Sequence, residues 1–230
     1  MPRFGNERAL PPVLPDRSAD LWDGYRGAVA RSLLTSGVRC FASSGFHATT
    51  TRDITAAVGL SPGALYVHFP SKEHLLFEII RTGHAKALAD LADAENGGTA
   101  QGHLRSLVAR SVAWHAHHHV AARVCQYELG ALAPDHHVEV LELRRQYTAV
   151  FRQAVIRGID EGAFPPVDVH RTVRAILSLG IDLVRWYRSD GPDSPEQLGD
   201  FYAELALGMI TSAGNNAARR TLPLGLGAGS

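Results

Sequence analysis

The chain has 230 residues, enough for one large domain or two modest ones, and at 45% hydrophobic it can bury a core, which excludes wholesale disorder. Its 23 basic and 23 acidic side chains cancel, so overall charge announces neither a nucleic acid nor an acidic partner. Two cysteines, Cys40 and Cys125, make no disulfide framework, and neither a signal layout nor a run of about 18 apolar residues is present, so a cytoplasmic protein with no membrane segment is expected.

Residues 1–16 (MPRFGNERALPPVLPD) hold four prolines without periodicity and read as a flexible arm. Helical spacing of apolar residues then predicts helices over about 18–43, 51–57, 62–68 and 72–95. After NGGTA comes a fifth helix ending near a histidine cluster, a sixth over about 120–132, and three more over 135–162, 168–188 and 196–213. FPPVD and SDGPDSP separate the last three, and the end from Gly214, closing on TLPLGLGAGS, reads as a flexible tail over 214–230. This is an all-α chain of about nine helices, without strand alternation or solenoid repeats.

The stretch TTTRDITAAVGLSPGALYVHFPSKEHLL carries the sharpest local signals. Thr50 and Asp53 have capping-box spacing, Ile54 and Val58 share one face, and Gly59 ends the helix. Ser61 is placed to cap the next helix and Pro62 suits its first turn. Two short helices joined by a glycine turn form a helix-turn-helix unit, whose second helix enters the major groove of DNA. Leu65 and Phe69 anchor that helix, which leaves Pro62, Gly63, Ala64, Tyr66, Val67 and His68 outward in varying degree. Gly63 and Ala64 permit close backbone approach, Val67 suits a thymine methyl, and Tyr66, His68 and Lys72 offer donors to phosphate. Arg52 is the nearby side chain able to make a bidentate base contact, unless Asp53 or Glu73 holds it in an ion pair. Residues 1–75 sum to a charge of only +2 from eight basic and six acidic side chains, so the case for DNA rests on the motif.

The order TTRDI, AAVGLS, GALYVHF and SKEHLL, preceded by SLLTSGVRCFASSGF, resembles the DNA-binding head of the TetR family of transcriptional repressors. The match covers about 31–79, with Leu33, Leu34, Phe41, Gly45 and Phe46 fitting the first helix; Ser36 and Gly37 stand where that family usually has alanines, which is expected to loosen it. The resemblance implies Thr50, Thr51, Tyr66, His68 and Lys72 on phosphates, and Pro62, Gly63, Ala64 and Val67 against bases. It implies a helix-turn-helix domain over 17–70 and a ligand-binding and dimerisation domain over 71–213. The partners it implies are a palindromic double-stranded operator, a second copy of the chain and a small-molecule effector.

In the second domain, RTVRAILSLGIDLVRWYR carries a broad apolar stripe through Val173, Ile176, Leu177, Gly180, Leu183, Val184 and Tyr187. The last helix is apolar at Leu198, Tyr202, Leu205, Leu207, Met209 and Ile210, so two such helices per subunit suit an intersubunit four-helix bundle. Polar-tipped aromatics and arginines (Trp114, Arg123, Tyr127, Tyr147, Phe151, Arg185 and Trp186) are candidates for a ligand pocket, with core packing and surface charge as the plain alternative. RVCQYELGALAPDHHVEVLELRRQY and FRQAVIRGIDEGAF look like an actinobacterial TetR subgroup tied to sterol-ring and fatty-acyl catabolism. That resemblance implies an acyl-CoA thioester or another hydrophobic molecule as inducer, and no resident cofactor.

In WHAHHHV, at the expected end of the fifth helix, His115, His118 and His119 fall at i, i+3 and i+4 and so share one helical face, which leaves a metal-responsive regulator as an alternative, beside a solvated helix end. A third reading is a helical interaction protein that binds no operator. Nucleophile-elbow, P-loop and dinucleotide motifs are all missing, so no catalytic residue is assigned and an enzyme is not expected.

Overall fold

A computed structural model describes residues 16–25, 27–94 and 98–221; residues 1–15 of the expected arm and 222–230 of the tail lie outside the described residues. Nine α-helices and no strand occur among the described residues: α1 (Ala28–Ala48), α2 (Thr51–Ala56), α3 (Gly63–His68), α4 (Lys72–Leu91), α5 (Ala100–His117), α6 (His119–Tyr127), α7 (Pro134–Asp160), α8 (Val169–Asp182) and α9 (Pro195–Thr221). Short 3₁₀ turns occupy Ser18–Trp22, Leu129–Ala131 and Leu183–Arg185.

Several boundaries differ from the sequence expectation: α4, α6 and α8 stop at Leu91, Tyr127 and Asp182, short of 95, 132 and 188. The helix expected over 18–43 is a 3₁₀ turn followed by α1, because Gly27 sits at φ 94° and ends any continuous ladder. The last helix runs past residue 213 to Thr221. Among the described residues no helix is long and apolar enough to cross a membrane.

The described chain divides after Lys86, Ala116 and Leu143 into two compact units. The first takes everything up to Lys86 together with His117–Leu143, so it is larger than the head drawn at 17–70. Its core explains why. Leu33, Leu34, Val38 and Phe41 of α1, Ile54 of α2 and Leu65 of α3 are buried with Leu75, Leu76, Ile79 and Ile80 of α4. Each such side chain contributes about 1.5–3 kcal/mol when fully buried. Trp22 and Leu21 are buried in the same unit.

The two positions expected to loosen α1 instead tie it in. Ser36 Oγ donates to the Ile54 carbonyl at 2.7 Å, joining α1 to α2. Gly37 makes room for α4, since a β-carbon there would lie 3.0 Å from Leu75 Cδ2. Local propensity is overridden here by a contact across helices.

The second unit holds Ala87–Ala116 and everything from Arg144 on. Leu104, Leu107 and Val112 of α5, Phe151 and Val155 of α7, and Val173 and Ile176 of α8 form its core with Phe164, Leu183 and Ile210. Small residues allow close approach: a β-carbon on Gly199 would sit 2.5 Å from the Ala109 carbonyl oxygen, and one on Gly180 3.3 Å from Val112 Cγ2. Gly180 therefore faces α5 within its own unit.

Candidate nucleic-acid interface

Every element of the helix-turn-helix is closed by local chemistry. At the start of α2 the Thr50 hydroxyl accepts from the Asp53 N–H at 3.2 Å, and Asp53 Oδ2 accepts from the Thr50 N–H at 2.9 Å. This reciprocal capping box contributes on the order of 1 kcal/mol. At its end Gly59 adopts φ 71°, and the Leu60 N–H reaches back to the Thr55 carbonyl at 2.9 Å. Ser71 caps α4, its hydroxyl accepting from the His74 N–H at 2.9 Å. Ser61 behaves differently from expectation. Pro62 is already helical (φ −55°, ψ −33°), and α3 opens with the Ser61 carbonyl, not its hydroxyl, accepting from the Ala64 N–H at 3.0 Å.

This scaffold sorts α3 into two faces. Leu65 and Phe69 are buried, at 0% and 3% exposure, while Tyr66 and Val67 stand out at 56% and 79%. Pro62, Gly63 and His68 are exposed with them, and Ala64 is half-buried. Thr50 and Arg52 are exposed at the start of α2, and Thr51 is half-buried. The ten expected contact residues thus fall on α3 and on the N-terminal ends of α2 and α4, all within the first unit.

Lys72 is more committed than its sequence position announced. Its Nζ donates to the carbonyls of Phe46 (2.7 Å) and Thr49 (2.6 Å) and lies 4.1 Å over the Phe46 ring. Burial holds its pKa below the ordinary lysine value, with Asp53 pulling it partly back. Two of its three donors close the C-terminal end of α1, which leaves one for a phosphate. Glu73, a suggested partner of Arg52, instead accepts from the Ala133 N–H at 2.9 Å and pairs with His136. A residue that sequence reasoning missed is Glu128, whose Oε2 accepts from the Phe46 N–H at 3.1 Å across a separation of 82 positions. No local signal marks it.

The seven candidate ligand residues are divided between the two units. Arg123 and Tyr127 lie in the first unit and are exposed, while the other five belong to the second. There Phe151 is fully buried core and Trp114 is buried on α5. Tyr147 packs on Phe151 with ring centroids 5.5 Å apart and donates to Ser111 Oγ at 2.6 Å; burial pushes its phenol far above the ordinary range. Arg185 pairs with Asp182 on the surface, next to a half-exposed Trp186. None of the seven lines the groove of about 710 Å³ in this unit, whose walls include Leu88, Leu91, Val150 and Ala154 with His103 and Arg157.

The histidine alternative is corrected by the helix ends. α5 stops at His117 and α6 starts at His119, with His118 between them at φ −117°, ψ 32°. The one helical face that would carry His115, His118 and His119 together is broken there. Among the described residues no group of three His, Cys, Asp or Glu is placed to hold a metal ion.

Comparison with known proteins agrees with this architecture. The family of bacterial regulatory proteins of the tetR type matches residues 33–79, and the tetracyclin repressor-like C-terminal domain family matches 97–210. The HTH-type transcriptional repressor KstR2 of Mycobacterium tuberculosis is 33% identical over 202 residues, 86% of this chain and 99% of that protein. A bacterial regulatory protein of the tetR family from Rhodococcus RHA1 has a solved structure with a TM-score of 0.76 and 39% identity, covering 80% of this chain and 97% of the other. The structure of the ketosteroid transcriptional regulator KstR2 of Mycobacterium tuberculosis gives 0.74 and 32%, covering 79% and 94%. Such proteins are regulators rather than enzymes. With a head matched over 33–79, a body matched over 97–210 and relatives of 33–39% identity spanning most of its length, the chain belongs to the TetR family of bacterial transcriptional regulators.

Proposed function

We propose that this regulator is a ligand-responsive repressor that binds a palindromic operator as a homodimer and is released by a small hydrophobic or acyl-CoA-type molecule. The observation that carries the operator reading is the exposed row Tyr66, Val67 and His68 on a helix whose other face, Leu65 and Phe69, is buried. Tyr66, His68, Lys72, Thr50 and Thr51 supply donors for phosphates, and Arg52 one side chain able to reach a base edge. Pro62, Gly63 and Ala64 bring the backbone close, so specificity leans on shape and on apolar contact through Val67.

Dimerisation is supported by the apolar side chains that α8 and α9 leave uncovered. Phe201 is 60% exposed and Leu205 43%, with Leu179 also accessible. A two-fold pairing of these faces buries them, and a palindromic operator offers such a dimer two half-sites about 34 Å apart, the spacing of successive major grooves. For the effector, the groove of about 710 Å³ in the second unit is within the size range of small-molecule sites. Its apolar walls suit an acyl chain or steroid ring, and His103 and Arg157 lie on its lining for an anionic end. The ketosteroid regulation named for the relative favours a steroid-derived thioester.

The test is a gel-shift titration of the promoter upstream of its own gene against a scrambled duplex at physiological salt. Tight binding to the promoter alone, reversed by micromolar steroid-derived or long-chain acyl-CoA, is expected. Equal affinity for both duplexes sinks the operator reading. Intact binding across an acyl-CoA panel, with no rise in melting temperature, sinks the ligand.

A further inference from the structure

The joint between α1 and α2 is held by side chains bonded to its main chain. Gly45 takes φ 76°, ψ 164°, a conformation open to glycine alone, and it interrupts α1 three residues before its end. The segment from Phe46 to Thr49 is held from two sides. On one, Glu128 at the C-cap of α6 accepts the Phe46 N–H at 3.1 Å. On the other, Lys72 at the start of α4 donates to the Phe46 carbonyl at 2.7 Å and the Thr49 carbonyl at 2.6 Å. Thr49 itself is buried, and its hydroxyl donates to the Gly45 carbonyl at 2.7 Å. The next residue is Thr50, the cap of α2.

We infer that Glu128 is a positioning residue for operator binding: from α6 it fixes the Gly45–Thr49 joint, and with it the start of α2, in the geometry that meets the phosphate backbone. This rests on the operator reading above. The carboxylate supplies an acceptor oriented at one N–H; a β-carbon on Gly45 would only touch Glu128 Oε1 at an ordinary 3.6 Å, so glycine is required there by its backbone angles. Its charge argues in the opposite direction to its geometry. A carboxylate on a DNA-binding unit opposes a polyanion, so removing it should by charge alone strengthen binding. A loss of affinity on its removal therefore reports position.

The test uses the full chain, Glu128→Ala and Glu128→Gln, with a duplex enriched from a random library by the wild-type protein and a scrambled duplex as control. Glu128→Gln keeps an acceptor and is expected to bind the enriched duplex within about twofold of wild type, whereas Glu128→Ala loses about tenfold. Binding of both variants to the scrambled duplex equals wild type or rises slightly with the lost charge, so a loss confined to the enriched duplex in Glu128→Ala reports the register that the joint sets. Without DNA, exchange of the Phe46 amide speeds up in Glu128→Ala only. All binding is measured below each variant's melting transition, so that a lower melting temperature alone does not imitate the effect. Wild-type affinity in Glu128→Ala, or an equal loss in both variants, overturns the assignment. If the wild-type protein enriches no duplex, the operator reading falls and this role with it, while the amide exchange still reports whether Glu128 holds the joint.

Discussion

Leu65 and Val67 are two positions apart on α3, and the first is 0% exposed while the second is 79%. One residue is committed to the core and the other to whatever the helix meets. Leu65→Ala is expected to cost about 2–5 kcal/mol of stability, as buried leucines do. Val67→Ala should leave stability within about 0.5 kcal/mol. Its effect belongs to the operator, where losing an apolar base contact costs about 1 kcal/mol, roughly fivefold. Urea denaturation and competitive gel shift on both variants separate the two roles; a fold defect in Val67→Ala, or no change in its binding, contradicts this division.

Lys72 is expected to show both kinds of loss. Lys72→Ala strips the Phe46 and Thr49 carbonyls of charge-assisted donors and should lower stability by about 1–3 kcal/mol. Its remaining donor, if it meets a phosphate, adds a salt signature: the slope of log affinity against log salt becomes shallower by about one. Affinity should fall alike for all sequences. An unchanged slope assigns Lys72 to the joint alone.

The buried phenol of Tyr147 makes the second unit sensitive to alkali. Its pKa is raised chiefly by burial, partly offset by its hydrogen bond to Ser111. Tyr187 and Tyr202 are pushed the same way, also chiefly by burial. An unfolded tyrosine ionises near pH 10 while the folded one stays protonated, so unfolding is linked to proton release above that value. Stability is therefore full below about pH 10 and falls as pH rises beyond it. Melting temperatures from pH 7 to 11 should show that decline, and Tyr147→Phe should make it shallower. An identical alkaline decline in the variant removes Tyr147 as a cause.

Gly158 carries the ring of Phe164 against its backbone, and a β-carbon would lie 2.0 Å from Phe164 Cδ2. In an exposed helix, glycine to alanine stabilises; here the ring, buried at 4%, must move. Gly158→Ala is expected to destabilise by about 1–3 kcal/mol, and Gly158→Ala with Phe164→Leu to recover part of that. Chemical denaturation of the pair tests it, and a stabilised single variant refutes the packing account.

Much of the head was legible because its signals are local. The Thr50–Asp53 box, the Gly59 stop, the Ser71 cap and the four-residue spacing of Leu65 and Phe69 each act within a few positions, so residue order alone specifies helix, turn and helix. The same locality makes the family readable from GALYVHF and SKEHLL. The break at Gly45 and the replacement of the Ser61 hydroxyl by its carbonyl were not readable, since a glycine also sits inside a regular helix, as Gly37 does, and Pro62 fits more than one way of opening one.

What the tertiary structure alone decided are relations between distant positions. Ser36 and Gly37 look like weak helix residues until Ile54 and Leu75 are seen against them. The candidate ligand set read from residue type is spread over both units, because an aromatic or arginine carries no mark of which face of its helix will be covered. The histidine row lost its shared face to a helix end. Glu128 and Phe46, 82 positions apart, meet only once α6 lies on α1. Short-range hydrogen bonds and spacing fix elements from sequence; which side chains of separate elements meet depends on packing the whole chain at once, and that information is not stored in any one segment.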